Sequence, residues 1–88
     1  MNKANVIIEL VDKIGPHPNA CKYGHQIGDV FDYHADRGKL CPFALHSIFP
    51  WITTLRFGGQ PPTHPDHGDY RFCCPDAAVG CVYKLTLK

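Results

Sequence analysis

Pro42-Phe43-Ala44-Leu45-His46-Ser47-Ile48-Phe49-Pro50-Trp51-Ile52-Thr53-Thr54-Leu55-Arg56-Phe57 is the stretch whose reading decides the fold. Leu45, Ile48, Phe49, Ile52 and Leu55 recur at the i, i+3, i+4, i+7 spacing that gathers apolar side chains on one face of a helix. His46, Pro50 and Thr53 fall on the opposite side. Pro42 suits the first helical position, where a fixed φ and a missing N–H cost nothing, and this puts Cys41 near the N-cap. Gly58-Gly59 supplies the stop. Pro50 lies inside the pattern and removes a backbone hydrogen bond, so a kink is expected. A single helix with one apolar face needs a sheet to cover it.

The flanking sequence supplies one. Val6, Ile8 and Leu10 alternate with Ile7, Glu9 and Val11, which predicts an N-terminal strand stopped by Gly15-Pro16-His17-Pro18-Asn19. Val30 to His34 reads as a second strand, with Phe31 and Tyr33 on one face, and Asp36-Arg37-Gly38 has turn chemistry. Gln60 to Asp69 holds three Pro, two His and no aliphatic residue, which marks an exposed loop. Two strands close the chain, Tyr70 to Cys74 and Gly80 to Leu87. In the first, Tyr70, Phe72 and Cys74 share a face. In the last, Cys81, Tyr83, Leu85 and Leu87 do. The expectation is one α+β domain over residues 1–88: a small, mostly antiparallel sheet of about four strands with one Pro-kinked helix packed on it.

Composition bounds the function. A chain of 88 residues buries only about 60% of its unfolded surface, so its core is small. With 44% hydrophobic and 19% charged residues it is still no disordered tail. Nine basic residues against eight acidic ones leave no excess of positive charge for a nucleic-acid backbone. The first apolar run is broken by Glu9 and too short to span a membrane, and no secretory leader pattern opens the chain. A cytosolic protein with reduced thiols is therefore expected, with no nucleic-acid or membrane partner and room for an unidentified protein partner. Five cysteines are an odd count for a fully paired disulfide framework. Small domains often gain stability from a metal instead.

Three cysteines stand at element junctions, where side chains from separate elements converge. Cys21 opens the Gly-rich loop before the second strand, Cys41 opens the helix, and Cys74 closes the third strand before Pro75-Asp76. His25 follows Cys21 by four residues, with Gly24 between them. Cys21, His25, Cys41 and Cys74 make a Cys3His set of the type zinc accepts. Cys-Pro steps such as Cys41-Pro42 and Cys74-Pro75 also end some ferredoxin cluster motifs. No C-x2-C pair exists, so the pattern is neither a zinc ribbon nor a ferredoxin run. Against this stands plain packing, since unpaired cysteine is often buried as a small apolar residue. Cys81, on an apolar strand face, is read that way. Cys73 and Cys74 alternate in direction, so at most one serves a single site. Cys74 is the choice and Cys73 its substitute.

Cys41 has a second reading. A thiolate at a helix N-terminus is stabilised by the helix dipole and becomes reactive. Leu40-Cys41-Pro42 resembles the reactive Cys-Pro of sulfur-carrier proteins in the sulfurtransferase relay, which implies a thiol-based sulfur carrier or redox enzyme. His64 and His67 read as solvated loop residues, and His17 and His34 as surface. His46 either lines the cavity of Cys41 or has a structural role, and Asp29 reads as a turn cap. The sequence has no Ser-His-Asp grouping, phosphate-cradling Gly loop or H-E-x-x-H motif.

The order Cys21-x-x-Gly24-His25-x-x-Gly28-Asp29-x-Phe31, then Cys41-Pro42-x-Ala44, Pro50 and Gly58-Gly59, then Cys74-Pro75-Asp76 resembles a small prokaryotic family. Its members are cysteine-containing proteins of about ninety residues, common in anaerobes. The match runs from about Val6 to Leu87. It implies that Cys21, His25, Cys41 and one of Cys73 and Cys74 belong to the family's core motifs. The link to anaerobes favours an iron–sulfur cluster with an electron-transfer or accessory role over structural zinc. The pattern brings no reaction with it.

Overall fold

The structure is a computed structural model that describes residues 4–15, 23–75 and 79–88. Four strands form one antiparallel sheet: β1 (Val6–Ile14), β2 (Val30–Asp32), β3 (Tyr70–Cys73) and β4 (Gly80–Leu87), in the order β2-β1-β4-β3. Two helices accompany it, α1 (Tyr33–Asp36) and α2 (Pro42–Arg56), with a 3-10 turn at Arg37–Lys39. The α+β architecture is the one the sequence predicts. Among the described residues no helix is long and apolar enough to cross a membrane.

Period-two alternation gives the sheet its inner face. Val6, Ile8 and Leu10 of β1 and Cys81, Tyr83 and Leu85 of β4 are buried, with Phe31 of β2 beside them. α2 covers them with Ala44, Ile48, Ile52 and Leu55. Each such Ile or Leu contributes about 1.5–3 kcal/mol by leaving water. This stripe lies slightly round the helix from the predicted one: Ala44 is fully buried, whereas Phe49 is exposed and its ring is 6.3 Å from that of Tyr33. α2 continues through Pro50, whose carbonyl accepts the Thr54 hydroxyl at 2.8 Å. Two contacts fasten α2 to β3. Trp51 stacks on Phe72 with centroids 5.0 Å apart, and the Ser47 hydroxyl donates to the Cys73 carbonyl at 2.8 Å.

There are three local departures. The second strand stops at Asp32, not His34, because the Asp32 carboxylate accepts the N–H groups of His34 and Ala35 at 2.9 and 3.1 Å. That cap starts α1 and turns Tyr33 into the core, where it is 3% exposed. β1 runs to Ile14, where Gly15 stops it as expected, but through an unexpected register shift between Leu10 and Asp12. The extra residue of a bulge lets the strand stay paired while its side chains change face. Leu87, expected on the apolar face, is 48% exposed at the last position of β4, although its partner Val6 is fully buried.

Candidate thiol site at one end of the sheet

One end of the sheet is where β1 finishes, β4 begins and β3 stops: Ile14 pairs with Gly80, Lys13 with Cys81, and Cys73 with Val82. The chain before β2 extends toward the same end. Gly28 and Asp29 exchange backbone hydrogen bonds with Leu10, both at 2.9 Å. Asp29 then closes a tight turn, accepting the Gln26 N–H on its carboxylate at 2.8 Å and donating its own N–H to the Gln26 carbonyl at 3.0 Å. Gly28, at φ +100°, supplies the left-handed backbone this turn requires. Asp29 is a turn cap, as its sequence suggests.

That turn delivers His25. The ring is only 8% exposed and lies between Tyr23 and Phe31, with centroids at 5.1 and 4.9 Å. Its Nε2 accepts the backbone N–H of Cys41 at 3.0 Å. Two candidates sixteen residues apart in sequence therefore meet. Burial holds the imidazole pKa below its ordinary value, opposed by the nearby Asp29 carboxylate and assisted by the Lys13 charge. A ring that accepts through Nε2 is neutral and carries its proton on Nδ1.

Cys41 is the N-cap of α2, half-buried against the core, and its side chain makes no capping hydrogen bond. Its carbonyl accepts the Leu45 N–H at 2.9 Å and so starts the helix. Cys74 lies just past β3. Its N–H donates to the Cys81 carbonyl at 3.0 Å, as in a normal antiparallel rung. The return bond is different: the Cys81 N–H donates to the Cys74 sulfur at 3.2 Å. The Cys74 thiol in turn reaches the Val79 carbonyl at 3.8 Å. Cys73, on the strand itself, packs beside Gly80, where a Cβ would sit 2.8 Å from its sulfur. Burial raises the Cys73 thiol pKa, and the neighbouring Cys74 thiol adds to that shift. Cys41, Cys73, Cys74 and Cys81 all keep their thiols, with no disulfide among them. Cys81 is buried in the core, as expected, and its backbone N–H also serves the Cys74 sulfur.

Cys21, the fourth candidate, lies outside the described residues, and so does His17. Among the described residues no three His, Cys, Asp or Glu side chains converge closely enough to hold a metal ion. The structure thus joins His25 to Cys41 and puts Cys74 at the same end of the sheet, without gathering the three into one metal-holding group. The other histidines stand apart. His46 is exposed on α2. His34 Nε2 lies 3.3 Å from an Arg56 nitrogen. His64 and His67 have ring centroids 4.9 Å apart, and His64 Nδ1 accepts the Asp66 N–H at 3.1 Å, a bond internal to their loop.

Two features escaped the sequence. The bond from His25 to Cys41 has no motif, because it depends on the turn at Gly28 and Asp29 folding back along β1. The Cys81–Cys74 bond had a signal: both residues border the β3–β4 connection, so antiparallel pairing sets them opposite each other. No known protein family, curated protein or solved structure matches this chain.

Proposed function

We propose that this protein is a small cytosolic metal-binding domain whose centre is an iron–sulfur cluster, held by the thiolates of Cys21, Cys41 and Cys74 with His25 at the same site, in an electron-transfer or accessory role. The observation that carries this reading is the convergence of His25 and Cys41 at the end of the sheet where the Cys81 N–H points at the Cys74 sulfur. Backbone N–H groups directed at cysteine sulfur support metal-bound thiolates and tune their potential. A set of sulfur donors selects iron–sulfur clusters, zinc or copper(I) over hard cations. Bound there, a cluster would supply one-electron chemistry, while the half-buried positions of Cys41 and Cys74 limit the access of water.

Purification under strict exclusion of oxygen, followed by visible spectroscopy and metal and acid-labile sulfide analysis, tests the reading. A brown protein with iron and sulfide in matching amounts supports it. A colourless protein with stoichiometric zinc keeps the site and replaces the cluster. A metal-free, fully folded protein overturns both.

A second reading is favoured by one observation: Cys41 is the N-cap of a fifteen-residue helix and its side chain makes no capping bond. As a thiol-based sulfur carrier or redox enzyme, the protein would have a Cys41 that alkylates in the folded state and accumulates as a persulfide. Resistance of Cys41 to alkylation until unfolding or chelation excludes this alternative.

A further inference from the structure

We propose that His25 is a positioning residue for Cys41 and not a metal ligand. This rests on the metal-binding reading above and refines its ligand set. A neutral imidazole has one ring-plane lone pair and one N–H. In this structure the lone pair is on Nε2 and the Cys41 N–H already occupies it, at 3.0 Å. Coordination through Nε2 takes that lone pair and strands the Cys41 amide. Coordination through Nδ1 moves the ring proton to Nε2, where it faces the Cys41 N–H, donor against donor. Either mode breaks the bond.

The ring also has little freedom to reorient. Tyr23 and Phe31 flank it, and it is buried. The amide it holds belongs to the residue at which the chain turns from extended backbone, φ −52° and ψ 128°, into α2. The carbonyl of that same residue accepts the first helical N–H. His25 thereby fixes both the start of the helix and the direction of the Cys41 Cα–Cβ bond, which sets where the thiolate points. The arrangement inverts the usual relation, in which a ligating histidine is oriented by a backbone group behind it. Here the histidine stands behind and orients a ligating cysteine.

Two measurements test this on the full chain. In metal-free protein labelled with 15N-histidine, long-range 1H–15N correlation is expected to show His25 with its proton on Nδ1 and an unprotonated Nε2. A proton on Nε2 overturns the proposal. In the same protein loaded with 113Cd2+, no cadmium–nitrogen coupling is expected to His25, and its appearance overturns the proposal. His25→Ala should weaken cadmium binding about 10–100-fold while leaving the stoichiometry and the sulfur-to-cadmium charge-transfer absorption unchanged. His25→Gln, which retains an acceptor oxygen, should recover most of that loss. An altered charge-transfer band or lost stoichiometry in His25→Gln counts against the proposal. If His25→Ala does not fold, the two measurements on wild-type protein still decide. Wild-type protein that binds no cadmium defeats the metal-binding reading, and the histidine proton position still reports whether His25 anchors Cys41.

Discussion

The two ends of the sheet are fastened by different atoms. At the end where β2 stops, one carboxylate gathers the chain: Asp32 accepts from the Asn5 side chain at 2.7 Å and from the N–H groups of His34 and Ala35, and Lys88 lies 3.7 Å away. The Asp32 N–H in turn donates to Asp36 at 3.0 Å, and the Lys88 N–H to the Asn5 carbonyl at 2.8 Å. These partners are mostly oxygen acceptors and backbone donors that satisfy one another. At the opposite end two of the acceptors are a ring nitrogen and a sulfur, His25 Nε2 and Cys74 Sγ, and their donors are the amides of Cys41 and Cys81. Nitrogen and sulfur in place of the usual carbonyl acceptors keep these two amides satisfied.

The comparison can be broken most completely by removing a sulfur. Cys41→Ala or Cys74→Ala is expected to abolish stoichiometric metal binding, measured by metal analysis of anaerobically purified protein, while amide shifts around Asp32 stay in place. Retention of full metal content in both variants would show that the sulfur end has no special role. Next comes the element common to both ends. Ile48→Ala or Ile52→Ala opens a cavity under α2 and should cost about 2–5 kcal/mol in urea unfolding. Because α2 starts at Cys41 and its Arg56 packs over the Tyr33 ring at 4.8 Å, this loss should loosen both ends together.

A smaller effect separates them. Gly80→Ala places a methyl 2.8 Å from both the Cys73 sulfur and Ile14 Cγ1, so the sulfur end alone must shift, at about 1 kcal/mol. Pairing it with Cys73→Ala should recover part of that cost, since the two residues compete for one space. Asp32→Ala removes the α1 cap and the Asn5 bond, and should lower Tm by several degrees with no change in metal content.

The smallest effect is a matter of pH. The hydrogen bond from Asn5, followed by those from backbone amides, holds Asp32 below its ordinary value of 3.8, and the bond from the Asp32 N–H does the same for Asp36. A depressed carboxylate binds fewer protons folded than unfolded, so its stabilising contribution is complete above that ordinary value. It is lost as pH falls through the lowered folded value. Thermal unfolding followed from pH 5 downward should show this acid loss, and Asp32→Ala should reduce it. An unchanged acid limb in that variant would remove Asp32 from the account.

Much of the fold was legible because periodicity reports burial. Val6, Ile8 and Leu10 alternate, and all three are buried. Gly80 to Leu87 is a strand with the predicted bounds. Pro42 begins α2, and Ile48, Ile52 and Leu55 lie under it. Tyr33 is buried with Phe31 as expected but begins α1 and does not continue β2, because alternation and capping by Asp32 are rival local signals and the cap won with Asn5 as a partner from 27 residues away. Of the candidate site, the junctional positions of Cys41 and Cys74 were readable. The partners of those residues were not, because a hydrogen bond across sixteen residues leaves no trace in spacing.

The sequence by itself determined that this chain makes one small antiparallel sheet under one amphipathic helix, and that its cysteines cluster at element ends. Short-range physics is enough for that: side-chain period, proline at a helix start and glycine at turns. The tertiary structure alone decided what faces what. It turned the His25 lone pair to the Cys41 amide and gave the last β3–β4 rung a sulfur in place of a carbonyl oxygen. Those choices depend on strand register and on the closing of the turn before β2, and both are fixed only when the whole sheet is assembled.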